Sequence, residues 1–530
     1  PVPTDAFAWL RAPRPDPEPP LSLCWGDPRI GNFVYGPDWA QQALLDWENF
    51  RLQTNEILEF QQQSADWIAV NRVHGSQASF IGGEIRAQGR VFVFNDNGVL
   101  LGQDAKVNVR QLVTGTGDKD VDIAGNVTTI TQSSRVSRLN WSDLSSQAGE
   151  VLRIKQAQKD WVMFNRSLKA GTTNIAGNIE ADGEIVLTGP QGLAINGKIK
   201  AQQVVASALD HRDDAGLVSY ARDYNNRLDP TFSNTWNYAG IGGSDPLADL
   251  LRPVPSIDDP DDPLRYKMTV GASGSIETGS YGKIMLFGPA VTNRGLLSIK
   301  DEGQVILAAG DNIYLTGDGK NVTAYTGAYN PIPFMRANLP YTGLAFVSNT
   351  TRQKFWQDAF GETYAIGATV PDANARILAY LNGLQAKRVE DIGFHARNEG
   401  IIRAERGGRV DFRGYTLEQM GAIEMTSTAL FRGAIEFKTA IYDYREYVNN
   451  DADGPSVGNG DVIFGKGSLT QITPDLEATD KIPLTSGAQS VGTLNILGAR
   501  LHMQEDSLIY MPSGTMNVLL DATALSIGSN

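Results

Sequence analysis

The sequence predicts an all-β chain, wound as an elongated right-handed parallel β-helix with extra-helical insertions. Three observations carry that expectation. Glycine is abundant, at 55 of 530 residues, while charged residues make up 20% and aromatic residues 8%. Short runs alternate apolar with polar residues, as half-buried strands do. A strand–Gly–strand unit also returns at a fixed interval, which is the mark of a solenoid.

Composition sets the outer limits. A chain of 530 residues exceeds what one compact core usually holds, so the core is divided or extends along an axis. The formal charge is −14, and no local basic patch stands against it, so a nucleic-acid partner is not expected. No apolar run approaches the length of a membrane-spanning helix. The chain begins at Pro1 without a Met or a signal peptide, which reads as a processed form. Cys24 is the only cysteine. A chain that crosses an oxidising compartment unfolded gains from having no pair to lock prematurely.

The alternation is clearest in Glu84-Ile85-Arg86-Ala87-Gln88-Gly89-Arg90-Val91-Phe92-Val93. It returns in Asn178-Ile179-Glu180-Ala181-Asp182-Gly183-Glu184-Ile185-Val186-Leu187. These two stretches belong to a longer duplication, in which residues 45–101 match residues 139–195 at a constant offset of 94. Trp47 matches Trp141, Trp67 matches Trp161, Asn71-Arg72 match Asn165-Arg166, and Gly98 matches Gly192. Further on, Gly274-Ser275-Ile276 and Gly282-Lys283-Ile284 recur 21 residues later as Gly295-Leu296-Leu297 and Gly303-Gln304-Val305. Gly400-Ile401-Ile402 with Gly408-Arg409-Val410 echoes them again. A β-sandwich also alternates, but it does not repeat one unit at a fixed interval over more than 300 residues.

The expected organisation follows from these repeats. Residues 1–44 form an N-terminal segment, 45–120 the first β-helix copy and 121–207 its duplicate, stacked on the first along one axis. Residues 208–266 form an insertion, marked by Asp258-Asp259-Pro260-Asp261-Asp262-Pro263, which cannot be a strand. Coils resume over 267–323 and 397–530. Residues 324–396 form a second insertion with short helices, one of them over 372–381 with Asp372 as its N-cap. Insertions of this kind are where a specific binding surface is expected.

Trp47-Glu48-Asn49-Phe50, Asn71-Arg72-Val73-His74-Gly75 and the run Val91 to Leu100 occur in a telling order and spacing. Together they resemble the secretion domain of filamentous haemagglutinins, the exported partners of two-partner secretion systems. The resemblance spans roughly residues 45–530, densest at its start. It departs mildly at Asn95-Asp96-Asn97, where the family pattern has Asn-Pro-Asn. It implies a secreted or surface-exposed adhesin, and an outer-membrane transporter as partner. A host-cell, glycan or cell-surface ligand is implied as well. Asn71, Arg72, Asn95, Asn97 and Gly98 are implied to be turn residues that order the first coils and support recognition by the transporter. The plainer alternative is that they only shape turns, with recognition spread over the fold. The second copy has Gly189-Pro190-Gln191-Gly192 in place of the Asn turn, and is expected to be structural.

The front of the chain points elsewhere. Trp25-Gly26-Asp27-Pro28-Arg29-Ile30-Gly31-Asn32, followed by Leu45-Asp46-Trp47-Glu48, resembles the core of aminoglycoside-phosphotransferase-like kinases. That resemblance makes Asp27 the catalytic base and gives Asn32 and Asp46 a Mg²⁺ ion. Only 24 residues precede Trp25, too few for a nucleotide lobe, so the motif reads as inactive. Gly31-Asn32 also matches Gly125-Asn126 at the offset of 94, which makes an opening cap of the β-helix the alternative.

No cofactor and no metal are expected. The four histidines, His74, His211, His395 and His502, lack metal-ligand spacing. Asn449-Asn450-Asp451-Ala452-Asp453-Gly454 begins like a calcium loop but lacks the Glu that completes one, so a solvated turn is expected. The chain is expected not to be an enzyme. A β-helix enzyme acting on polysaccharide is the alternative, and its acidic cluster cannot be located from residue order.

Overall fold

A computed structural model describes residues 32–35, 42–210, 233–237, 261–327, 392–439, 460–479 and 492–520, apart from short gaps, with isolated positions between 357 and 376. The chain divides into two compact units. One comprises Pro1–Thr188 with Gly197–Gln203, the other Gly189–Asn196 with Val204–Asn530. Asp27, the helix expected over 372–381 apart from Arg376, and the Asn449–Gly454 segment lie outside the described residues.

Each unit is built of parallel strands whose successors move from sheet to sheet. In the second unit the pattern is unbroken. One sheet runs Gln203–Ser207, Lys283–Gly288, Gln304–Ala309, Arg409–Gly414, Gly433–Thr439, Gly492–Gly498 and Thr515–Leu520. A second runs Ser275–Ser280, Leu296–Lys300, Ile401–Ala404, Ala422–Ser427, Leu469–Pro474 and Leu508–Tyr510. The third runs Leu193–Ile195, Lys267–Val270, Ala290–Asn293, His395–Asn398, Thr416–Gln419, Asp461–Phe464 and Arg500–Met503. This is a three-sided parallel β-helix. The 21-residue spacing read from the glycines is its coil, since Lys283 pairs with Gln304 and Ile401 with Ala422.

The period-2 pattern explains the core. In Ala422–Ser427 and Gly433–Thr439 every second residue is buried. Inward residues of successive coils stack, as Phe412 does on Phe437 with ring centroids 4.5 Å apart. Each aliphatic side chain buried in such a row contributes roughly 1.5–3 kcal/mol. Polar inward residues are tolerated where they bond to one another. Asn293 donates to Asn398 at 2.7 Å and Asn398 donates to Gln419 at 2.8 Å, all three being fully buried. The first of these bonds joins coils 105 residues apart in sequence, so the intervening insertion leaves the stack in register.

The excursion from the coils starts earlier than residue 324. Asn312–Gly317 and Val322–Gly327 form an antiparallel hairpin, joined on its other edge by Ser233–Asn237. Gln304 fastens it to the helix, donating to Val322 O at 2.7 Å and accepting from Val322 N at 2.9 Å. Gln304 also donates to Asp411, which receives Arg409 and Arg413 on the same sheet.

The first unit confirms the duplication strand for strand. Gln42–Trp47, Ile57–Gln61, Ile68–Val73, Ser79–Ile81, Glu84–Ala87 and Arg90–Asn95 reappear as Val136–Trp141, Val151–Lys155, Val162–Ser167, Thr173–Ile175, Asn178–Ala181 and Glu184–Thr188. The expected stacking of the copies along one axis is corrected. Within each copy the strands of the shared sheet are parallel, but Gln111–Thr116 meets Val136–Trp141 antiparallel, with Val113 opposite Trp141. The first core, which includes Leu45, Ala69, Val91, Val93 and Leu112, occupies one face of this sheet. Val113 points to the other face, because neighbours along a strand alternate. Trp141 and Leu139 share that face with Val113, so the second core lies on the opposite side of the common sheet. The reversal follows the hairpin Lys119–Ala124 and Val127–Gln132, which straddles the boundary expected at residue 120. Strand direction leaves no trace in hydrophobic period, so the sequence could not announce it.

Candidate functional site

The framework common to both copies comes first. Asn71 and Arg72 do not sit in a turn; they lie within the strand Ile68–Val73. Asn71 is fully buried, accepts a hydrogen bond from Trp47 Nε1 at 2.9 Å and donates to Phe92 O at 2.9 Å. The duplicate repeats the pair, with Trp141 Nε1 donating to Asn165 at 3.1 Å. Gln62 donates to Trp67 O at 3.1 Å and accepts from Gly89 N at 2.8 Å, while Gln156 does the same with Trp161 O and Gly183 N at 2.8 and 2.6 Å. These amides stand in for backbone groups where the chain turns between strands. They are scaffold.

A second layer of side-chain bonds is seen in the first copy, whose Asn95 is replaced by Gly189 in the duplicate, although the closing backbone bond of the turn recurs there from Gly192 N to Gly189 O at 2.8 Å. Asn95, at the end of the strand Arg90–Asn95, is 1% exposed. Its Oδ1 accepts from Asn97 N at 2.8 Å, and Gly98 N donates to Asn95 O at 2.9 Å, closing a tight turn. Gly98 adopts a φ of +94°, which glycine takes without penalty. Asn95 Nδ2 donates to Gln77 O at 2.9 Å and to Ser79 Oγ at 2.8 Å, while Asn97 Nδ2 donates to Gly75 O at 2.7 Å. The turn is therefore stitched to the loop that begins at His74. His74 Nε2 lies 2.9 Å from Asp46 Oδ1.

Beside this cluster opens a pocket of about 370 Å³, lined by Arg72, Val73, His74, Gly75, Ser76, Phe94, Asp96 and Asn97. Among the expected site residues, Arg72 and Asn97 meet at it, Asn95 and Gly98 hold the turn, and Asn71 lies in the core. Sequence reasoning passed over His74, Gly75, Gln77, Ser79 and Asp46 as members of this cluster. A signal was present: at the offset of 94 the pair Asp46 and His74 becomes Asn140 and Leu168, two changes that together remove the ion pair.

Two of the kinase-like residues lie in described strands. Asn32 begins the strand Asn32–Tyr35, paired in parallel with Ile57–Gln61, and so opens one sheet of the first copy. Asp46 lies in a different sheet, turned to His74. Elsewhere, His395 lies 3.2 Å from Glu418, and Arg500 grips Asp461 at 2.6 Å. These are outward ion pairs along one sheet.

The fold and this cluster define a β-helical protein with one decorated copy and one plain copy. Comparison with known proteins gives the decorated copy its family. Residues 35–132 match the family model of the TPS secretion domain. Over 89 residues the chain is 38% identical to the heme/hemopexin-binding protein of Haemophilus influenzae (strain ATCC 51907 / DSM 11121 / KW20 / Rd). That match covers 17% of this chain and 10% of that protein. A second heme/hemopexin-binding protein of Haemophilus influenzae is 37% identical over 79 residues, covering 15% of this chain and 8% of its own. The HMW1 secretion domain from Haemophilus influenzae aligns with 77% of this chain and 95% of its own, at 16% identity and a TM-score of 0.34. Residues 35–132 thus match a two-partner secretion domain, while the chain spans about a tenth of the length of the curated relatives it matches.

Proposed function

We propose that the chain is exported by the outer-membrane transporter of a two-partner secretion system, and that the turn cluster of the first copy is what the transporter recognises. One observation carries this reading. The scaffold amides and the closing bond of the turn repeat in both copies, whereas the side-chain ties of Asn95 and Asn97 to Gly75, Gln77 and Ser79 are made in the first copy, where the duplicate has Gly189 and Gln191. A purely structural role would give the duplicate the same ties. Winding by coils suits export, because each coil is completed by its neighbour and can fold as it emerges. Once outside, the chain acts as a surface or released adhesin, binding a host-cell, glycan or cell-surface ligand rather than turning over a substrate.

Asn97→Ala removes the bond to Gly75 at an exposed site, so it is expected to lower secretion through the cognate transporter while the melting curve stays put. Gln191→Ala, at the matching place in the duplicate, is expected to leave secretion unchanged. Equal secretion of both variants and the parent would remove the support for this assignment. For the ligand, a glycan and cell-binding screen with and without residues 324–396 is expected to lose binding when they are removed; unchanged binding would place the ligand elsewhere. Incubation with Mg²⁺ and ATP is expected to show no phosphoryl transfer, and transfer abolished by Asp27→Ala would overturn the non-enzymatic reading.

A further inference from the structure

The duplication supplies an internal reference for every exposed apolar residue of the first copy. Leu100, Leu101 and Val107 are 60%, 43% and 37% exposed. Their counterparts Ala194, Ile195 and Ile199 are 2%, 0% and 0% exposed. Leu101 pairs with Ile81 and Val107 with Ile85, both fully buried, so Leu101 and Val107 belong to inward rows. They are bare because their strands are last in their sheets. Among the described residues nothing pairs beyond Val99–Leu101 in its three-stranded sheet, or beyond Lys106–Asn108 in its four-stranded one.

The second copy shows what such an edge accepts. Leu193–Ile195 carries the parallel strand Lys267–Val270, with Leu193 opposite Met268 and Ile195 opposite Val270. Met268 and Val270 are fully buried, and the covering segment donates from Tyr266 N to Gln191 O at 2.9 Å and from Gly271 N to Ile195 O at 2.8 Å. The same backbone acceptors in the first copy are the carbonyls of Asn97 and Leu101. The reversal between copies leaves this edge without the coil that its inward rows are shaped for.

We propose that the open end of the first copy is a strand-acceptor site. It takes an extended segment of another polypeptide chain, parallel to Val99–Leu101, with apolar side chains at alternate positions as in Lys267–Val270. Main-chain bonds supply affinity and the inward rows select the alternation, as in other strand additions. A flat apolar partner would leave the edge N–H and C=O groups unpaired.

The probe is a fluorescent peptide with the sequence of residues 264–281, titrated into the whole chain. Saturable one-to-one binding is expected, lost when the peptide is scrambled and lost with Leu100→Lys and Leu101→Lys together. Both substituted residues are exposed, so the melting curve should not move, and a shifted curve is answered by the milder Leu100→Ser, which should also weaken binding. A Leu100→Cys chain in a Cys24→Ser background should form a disulfide with a peptide bearing Cys at the position of Thr269. Binding that survives the lysine substitutions, equal binding of the scrambled peptide, or no saturable binding would each overturn the proposal.

Discussion

An asparagine amide in an apolar row is tolerated only when its polar atoms are used, because a buried group left unbonded costs about 1–3 kcal/mol. Asn71 meets that condition through Trp47 and Phe92, and Asn165 through Trp141 and Met163. Asn71→Ala strands the Trp47 N–H, and is expected to lower the unfolding free energy by about 1–3 kcal/mol, with Asn165→Ala alike. Denaturant melts of both variants check this; an unchanged midpoint in either would show the bond to be incidental. Glu418 offers a test in pH. Burial raises its carboxyl, but the hydrogen bond with His395 and the charge of Arg397 outweigh it and hold the pKa below the ordinary 4.5. A carboxyl depressed in the folded state stabilises above its unfolded value, and that contribution disappears as pH falls through the folded one. The parent is therefore expected to lose stability below about pH 4.5 more steeply than Glu418→Gln, read as the urea midpoint against pH. Parallel curves would contradict it.

At the scale of elements, the coil corners explain why glycine punctuates the sequence. A Cβ on Gly295 would stand 2.1 Å from the carbonyl oxygen of Gly274, and one on Gly400 2.2 Å from that of Gly295. These positions need closeness of approach, not a left-handed backbone. Gly295→Ala is expected to cost about 1–3 kcal/mol or more in a melt, since the obstacle is backbone in the coil below. Gly149, with φ +90° and open space around it, is the control: alanine there meets only backbone strain, of about 1–2 kcal/mol. An alanine tolerated at Gly295 would contradict the corner geometry. This rhythm was legible in the sequence, because glycine spacing and alternation report coil length and inward rows directly. Asn71 was less so. Asparagine favours turns in general, and only the joint recurrence of Trp47 with Asn71 as Trp141 with Asn165 could have revealed a buried pair.

At the scale of the whole molecule, the proposed reading divides two roles between the copies. The scaffold amides recur because any coil needs its corners held. Among the described residues the Asn95 and Asn97 side-chain ties and the Asp46–His74 pair are seen in the first copy, and the proposed recognition rests on that difference. The sequence showed the repeat and the changed turn, but strand direction and the faces of the shared sheet depend on how the chain crosses at the hairpin, which no period encodes. Transplanting the duplicate's own turn into the first copy tests the transporter assignment most directly. Asn95→Gly, Asp96→Pro and Asn97→Gln together install the Gly-Pro-Gln-Gly turn that already serves the same kind of strand end in this chain. Secretion of this variant and the parent would be measured side by side in cells carrying the cognate transporter, with a melt of each purified chain. The variant is expected to fold and to stay inside the cell. A folded variant secreted as well as the parent would contradict it.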